Sequence, residues 1–354
     1  MHKIVVIGNS IAGMKAVEAL QATGEEIEVT VFSAEEALPY NRRLLLDWVA
    51  RRISRNTVFY RPLDDYKARK INFILDKKVS RVNLKRGRVG IDDKQQFDYD
   101  ILFVTALDVK PLAAVKGAHR AGLFHCKRFL DIEAFLKIWP LTDTVVISSR
   151  SVFGLELACS LLDSDREVIL VTSGNHILPS FLDAESAAVL QNLAEQAGLR
   201  VITGNPITEF LGDGEIKAIR LQNGKVIGCQ AVLSDEAKPD LRLFKDSELQ
   251  CGEAIVVNER FQTNISNVFA MDMAAGAADA GQWDASQQHF SYLEQQGRIV
   301  AGSLLGTDDK TPWPRRTWSL RIKDHAVVMA ENDGTITLDV SAMDSAVKES
   351  VGSV

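Results

Sequence analysis

The stretch Gly8-Asn9-Ser10-Ile11-Ala12-Gly13 follows a short β-branched run, Ile4 to Ile7, and leads into apolar residues at helical spacing. This is the layout of a dinucleotide loop. In that pattern the first glycine makes the tight turn, the second admits a pyrophosphate to the backbone, and the third lets helix and strand pack closely. Gly8 and Gly13 take the first and third places, while Ser10 stands at the second. A hydroxyl there can donate to a phosphate, and a helix starting near residue 12 offers free amides and the positive end of its dipole to an anion. The alternative is a tight βα turn with no ligand. An acid past the second strand would hold a ribose, but Ser33 occupies the usual place.

A weaker echo of this unit recurs near residue 143, where DTVVISSRSVFGLELACSL again reads strand, turn, helix. Aligned on Gly154, the first two glycine places hold Ser149 and Ser151 with Arg150 between them, and Thr172 stands where a ribose-binding acid belongs. Each opening leads into a further strand, EIEVTVF and EVILVT, which completes a βαβ unit. Two nucleotide-type folds in one chain follow. Between them INFIL, KVSRVNL and GRVGID read as short antiparallel strands before an apolar strand at YDILFVTAL. Further on come a helix at AESAAVLQNLAEQAGL, strands at RVITG, IKAIRLQNG and CQAVLS, a strand and turn at SNVFAMDMA, and an amphipathic helix from Ser286 to Leu305. A β-rich tail with WSLRI and TITLDV closes the chain.

Composition sets the bounds. The 354 residues exceed one ordinary core, 46% of them are hydrophobic and 25% charged, and the net charge is −6. That balance fits a globular chain of at least two domains and argues against a nucleic-acid binder. No apolar run approaches the roughly 18 residues of a membrane span, so no membrane insertion is expected. Cys126, Cys159, Cys229 and Cys251 lack any metal or C-x-x-C spacing; they read as buried, reduced thiols, which makes a cytoplasmic address the default and a metal site unexpected.

Taken together, VVIGNSIAG, VFSAEEALPYNR, VILVTSGNHILPSFLDAESAAVLQNLAEQAGLRVITG and IVVNERFQTNISNVFAMD resemble the FAD-dependent pyridine nucleotide–disulfide oxidoreductases. The branch most similar is that of NADH:rubredoxin reductases and the flavin part of the nitrite reductase large subunit. The resemblance implies an α/β fold of two Rossmann-like nucleotide-binding domains, an NAD-type domain at 111–236 inserted into an FAD-type domain at 1–110 and 237–306, and a short C-terminal β-rich segment at 307–354. It implies FAD held by Gly8, Ser10, Gly13, Glu35, Arg42 and Asp272. Glu35 replaces Ser33 as ribose acid, with a solvated surface role as the alternative. Arg42 would lie beside the pyrophosphate, while Arg43, Arg51 and Arg52 read as solvated charges. Asp272 would meet the ribityl chain if its loop is one residue shorter than usual.

The same resemblance places Gly154 and Glu156 at a nicotinamide pocket whose ribose determinants are missing, so weak NAD(P)H binding is expected. Turns at Thr105–Leu107 and Ser234–Glu236 lack the glycines of the family. No cysteine precedes residue 126, so a dithiol relay near the first helix is excluded and any redox chemistry passes directly through a flavin. Two functions stay open. One is an FAD-dependent oxidoreductase, a flavoprotein in electron transfer between a reduced nicotinamide and a small redox protein. The other is an FAD-containing relay or non-catalytic subunit of a larger redox complex that has lost NAD(P)H binding.

Overall fold

The computed structural model describes residues 2–91, 95–107, 112–236, 239–277, 290–307, 317–332 and 335–342. By contacts the chain forms two compact units, the first made of 1–41, 56–109 and 238–314, the second of 42–55, 110–237 and 315–354.

The first unit is built on a five-stranded parallel sheet in the order Val268–Ala270, Ile101–Val104, His2–Ile7, Ile27–Phe32, Ile71–Ile74. Its central strands read as unbroken apolar runs because both faces are covered; Val6, Leu102, Phe103 and Val268 are all fully buried. The segment INFIL is the edge strand of this sheet and runs parallel to Ile27–Phe32, which corrects the antiparallel expectation. The chain reaches it through the short helix Leu63–Ala68, and such a crossover returns the strand parallel to its neighbour. The antiparallel strands are Arg81–Asn83, Arg88–Gly90 and Gln96–Asp98.

Two helices pack against each other in this unit, Ile11–Ala22 and Phe290–Leu304. They approach closely at Gly297, where an added Cβ would lie 2.5 Å from Lys15 Cβ and 2.8 Å from the Ala12 carbonyl oxygen. The second helix was expected from Ser286; residues 286–289 lie outside the described residues.

The second unit repeats the plan with a parallel sheet ordered Arg200–Ile202, Glu167–Val171, Thr144–Ser148, Ala231–Ser234, Leu123–His125. Helix Ala184–Gln196 starts at Asp183, whose carboxylate accepts from Ser186 N at 2.8 Å, and ends before Gly198 at φ +105°; an acidic N-cap and a left-handed glycine bracket it. A separate antiparallel sheet holds Ile207–Leu211, Ala218–Leu221 and Val226–Gly228. The C-terminal strands Thr317–Ile322, His325–Asn332 and Thr335–Ala342 form an antiparallel meander, with Trp318 edge-to-face on Phe181 at 5.3 Å. All four cysteines are free; Cys126, Cys159 and Cys229 are buried, but Cys251 is exposed, contrary to expectation. It sits on a bridge residue outside the sheets.

Candidate functional site

Gly8 leaves the strand His2–Ile7 at φ +98°, and its N–H donates to the Phe32 carbonyl at 2.8 Å. A Cβ there would fall 2.4 Å from the amide nitrogen of Ala106, so both the left-handed backbone and the neighbouring turn require glycine. Thr105 stands in for the missing glycine of that turn by donating its hydroxyl to the Gly8 carbonyl at 3.1 Å. At Gly13 a Cβ would meet Thr105 Cγ2 at 2.9 Å and Val6 Cγ1 at 3.2 Å. The helix therefore lies directly on the strand pair.

Ser10 caps helix Ile11–Ala22. Its Oγ accepts from Ala12 N at 3.2 Å and donates to Asp272 Oδ2 at 2.5 Å. No acid stands in the first turn of that helix, so its positive end is offset only from outside. Asp272 follows the strand Val268–Ala270, takes the left-handed conformation at φ +53°, and is fixed by its own N–H, which donates to Gln296 Oε1 at 2.8 Å. Aspartate tolerates that backbone better than most residues. The side chain that reaches the first loop is thus Asp272 and not Met273.

Glu35 is buried, which disposes of the solvated alternative; Tyr40 donates its hydroxyl to Glu35 Oε2 at 2.9 Å. Ser33 closes a turn, its Oγ accepting from Glu35 N and donating to the Glu35 carbonyl. Asn9 ties this segment to the first loop through the Ala37 carbonyl at 2.7 Å. Gly8, Ser10, Gly13, Glu35 and Asp272 accordingly gather at the C-terminal edge of one parallel sheet, where open α/β sheets bind ligands.

Arg42 belongs to the second unit and is buried. Arg43, expected to be solvated, pairs instead with Glu156 and donates to the Ser319 carbonyl at 3.1 Å. Burial pushes the Glu156 carboxyl up, opposed by the Arg43 guanidinium. Glu156 is therefore engaged with a cation of its own unit. Gly154 sits where a Cβ would lie on Ser149 Oγ, so the serine that replaces the first glycine fills the space over the helix start.

The second crevice holds a polar cluster that spacing did not reveal. Ser151 caps helix Val152–Ser160, accepting from Gly154 N at 3.3 Å and donating to Asp235 Oδ2. Lys127 Nζ lies 3.4 Å from the same oxygen, and the two side chains are only 2% and 4% exposed. Burial works against the Asp235 carboxylate, but Lys127 and the hydroxyls of Ser151 and Ser149 hold its pKa below the ordinary value. Glu236 accepts from Ser148 Oγ at 2.9 Å, and burial raises its carboxyl.

His125 lies at the end of strand Leu123–His125, fully buried; its Nδ1 accepts from Lys127 N at 3.3 Å and its Nε2 has no partner among the described residues. Burial, then the charge of Lys127, lowers its pKa from 6.5 to about 3, with Asp235 opposing and Arg128 and Arg42 assisting. The unfolded chain takes up this proton near 6.5 and the folded one does not, so the stabilisation is complete above pH 6.5 and is lost as the pH falls toward 3. At about 1.4 kcal/mol per unit the whole shift is worth roughly 5 kcal/mol. The melting temperature is expected to fall through that window, and to fall less in His125→Asn. Equal slopes in the two proteins would contradict the assignment.

Comparison with known proteins agrees with this geometry. Residues 2–289 match the family model described as pyridine nucleotide-disulphide oxidoreductase. The chain belongs to that family. The ferredoxin reductase component of chlorobenzene dioxygenase from Cupriavidus sp. (strain PS12) is 24% identical over 330 residues, 92% of this chain and 80% of the relative. Rubredoxin-NAD(+) reductase of Ectopseudomonas oleovorans is 24% identical over 357 residues, 96% and 92% of the two chains. Among solved structures, the covalent putidaredoxin reductase–putidaredoxin complex matches with a TM-score of 0.83 at 19% identity, covering 97% of this chain and 87% of that one. Membership accounts for the two parallel sheets with small residues at their helix starts. Among the described residues no helix is long and apolar enough to cross a membrane.

Sequence reading missed Gln296, Tyr40, Lys127 and Asp235. Gln296 had a signal, a polar residue within the apolar stripe that runs Leu293, Gly297, Val300. Lys127 and Asp235 had none, because only the sheet order brings the strands before them together.

Proposed function

We propose that the chain is a flavin (FAD)-dependent oxidoreductase passing electrons between a reduced nicotinamide and a small redox protein, without a redox-active disulfide. The observation that carries this is the Ser10 to Asp272 hydrogen bond at the start of helix Ile11–Ala22, beside a Gly8 that admits no side chain. The residues fit the dinucleotide. Gly8 and Gly13 keep the loop bare, the helix start lacks an acid of its own, and two buried carboxylates can accept from hydroxyl groups.

On this reading 1–110 and 237–306 form the FAD domain, 111–236 the NAD-type domain and 307–354 the C-terminal segment. Ser10 and the helix amides bind the pyrophosphate, Asp272 orients the ribityl hydroxyls, and Glu35 accepts from the adenosine ribose. A bound flavin supplies hydride and single-electron transfer. Gln296 and Tyr40 fix the two acids in place. Gly154 and Glu156 mark the nicotinamide side. The relatives named as ferredoxin and rubredoxin reductases support the electron partner, and the reduced-thiol cysteines support the cytoplasm as its address.

A second reading, an FAD-containing relay or non-catalytic subunit of a larger redox complex, is favoured by the second crevice, where Ser149, Ser151 and Asp235 crowd the nucleotide position. Anaerobic addition of NADH or NADPH separates the two. Bleaching of flavin absorbance followed by reduction of an added rubredoxin or ferredoxin supports the first; reduction only by dithionite or a reduced ferredoxin supports the second.

A further inference from the structure

The two sheets superimpose in plan, and the comparison isolates one residue. In the first unit Ile7 pairs with Val104, so Gly8 faces Thr105 and Ala106, which bring no charge to the loop; the carboxylate that meets the cap Ser10 there, Asp272, follows the outer strand Val268–Ala270 instead. In the second unit Ser148 pairs with Ser234, so Ser149 faces Asp235. The same edge of the same sheet plan therefore carries a buried carboxylate. It is bound by the cap hydroxyl of helix Val152–Ser160 and compensated by a buried ammonium, Lys127, which follows the next strand over. The helix start thus already has a full negative charge within hydrogen-bonding reach of its cap, where the dipole favours an anion.

We propose that Asp235 is a built-in anion that competes with the pyrophosphate of a pyridine nucleotide, and is the specificity-determining residue that sets how weakly this unit takes NADH. The inference rests on reading the second unit as an NAD-type domain, but not on whether the first holds flavin. A nucleotide enters only by displacing the carboxylate from Ser151 and by breaking or sharing its pair with Lys127. Both steps work against binding, since a second anion beside Asp235 adds like-charge repulsion in a place shielded from water. Asp272 differs in place: it follows the outer strand Val268–Ala270, whereas Asp235 follows the strand directly beside Thr144–Ser148 and faces Ser149 and Ser151, the residues at the first two glycine places of the loop. Removing the Asp235 charge turns the liability into an asset, because Lys127 and the two serine hydroxyls then face an incoming phosphate.

The test is calorimetric titration with ADP-ribose, which carries the pyrophosphate and ribose without redox chemistry, on the full chain, on Asp235→Asn, and on the double variant Asp235→Asn with Lys127→Met. Asp235→Asn is expected to bind ADP-ribose more tightly than the unaltered protein by about tenfold or more, equivalent to about 1.4 kcal/mol. The double variant should fall between the two, since it lacks the repelling carboxylate and the attracting ammonium alike. It also removes the buried lysine that loses its Asp235 partner, a loss that could prevent Asp235→Asn from folding. Tighter binding in either variant supports the proposal; if neither folded variant binds more tightly than the unaltered chain, it is overturned. Flavin absorbance recorded on the same samples reports the first unit separately, so a colourless protein would count against the flavin reading and leave this result standing.

Discussion

Gly13→Val is expected to abolish flavin retention while leaving helix content near that of the unaltered protein. The Cβ alone would stand 2.9 Å from Thr105 Cγ2 and 3.2 Å from Val6 Cγ1, and valine adds two methyl groups to that contact. Overpacking of this kind typically costs about 1–3 kcal/mol, and the helix can relieve it only by lifting its N-terminus from the strand. That motion carries Ser10 away from Asp272. Far-ultraviolet circular dichroism and flavin content check the result together. A finer version uses Gly13→Ala with and without Thr105→Ser. Serine keeps the hydroxyl that donates to the Gly8 carbonyl but lacks the clashing methyl, so the pair should be less destabilised than the sum of the singles. Strict additivity would count against the contact.

Gly297→Ala is the second large effect. The substituted Cβ would lie 2.5 Å from Lys15 Cβ, 2.7 Å from Ala16 N and 2.8 Å from the Ala12 carbonyl oxygen. Two of these are backbone atoms of the facing helix and cannot swing aside. Alanine normally favours a helix by close to 1 kcal/mol over glycine, so an exposed position would gain stability. Here the helices must separate, and a loss of about 1–3 kcal/mol is expected. Because Gln296 neighbours the contact and holds Asp272, flavin release should accompany the loss. Chemical denaturation of the variant checks the sign; a stabilised Gly297→Ala would show that the two helices do not meet as described.

Much of the first unit was legible. The apolar runs, the GNSIAG loop and the serine before the first helix each act through near neighbours in the chain, and those constraints are written locally. Sheet direction was less so. INFIL looks the same whether it pairs parallel or antiparallel, and only the crossover through Leu63–Ala68 decides it. The expected solvation of Arg43 failed for a related reason: its partner Glu156 is distant in sequence and reaches it through packing of a different helix. Asp235 is the sharpest case. In the sequence it is an acid in a turn where glycine is customary; in the fold it becomes a buried ion with Lys127 beside it. Ser149 and Ser151 could be recognised as losses of glycine, but not as donors to a common carboxylate.

The most direct measurement is the flavin content of the purified full chain, from its absorbance spectrum and from the chromophore released on denaturation, before and after incubation with FAD. The arrangement of Gly8, Ser10, Gly13 and Asp272 predicts about one FAD per chain, with Asp272→Ala and Gly13→Val both losing it. A folded, colourless protein that takes up no FAD on reconstitution would contradict the assignment of the first unit.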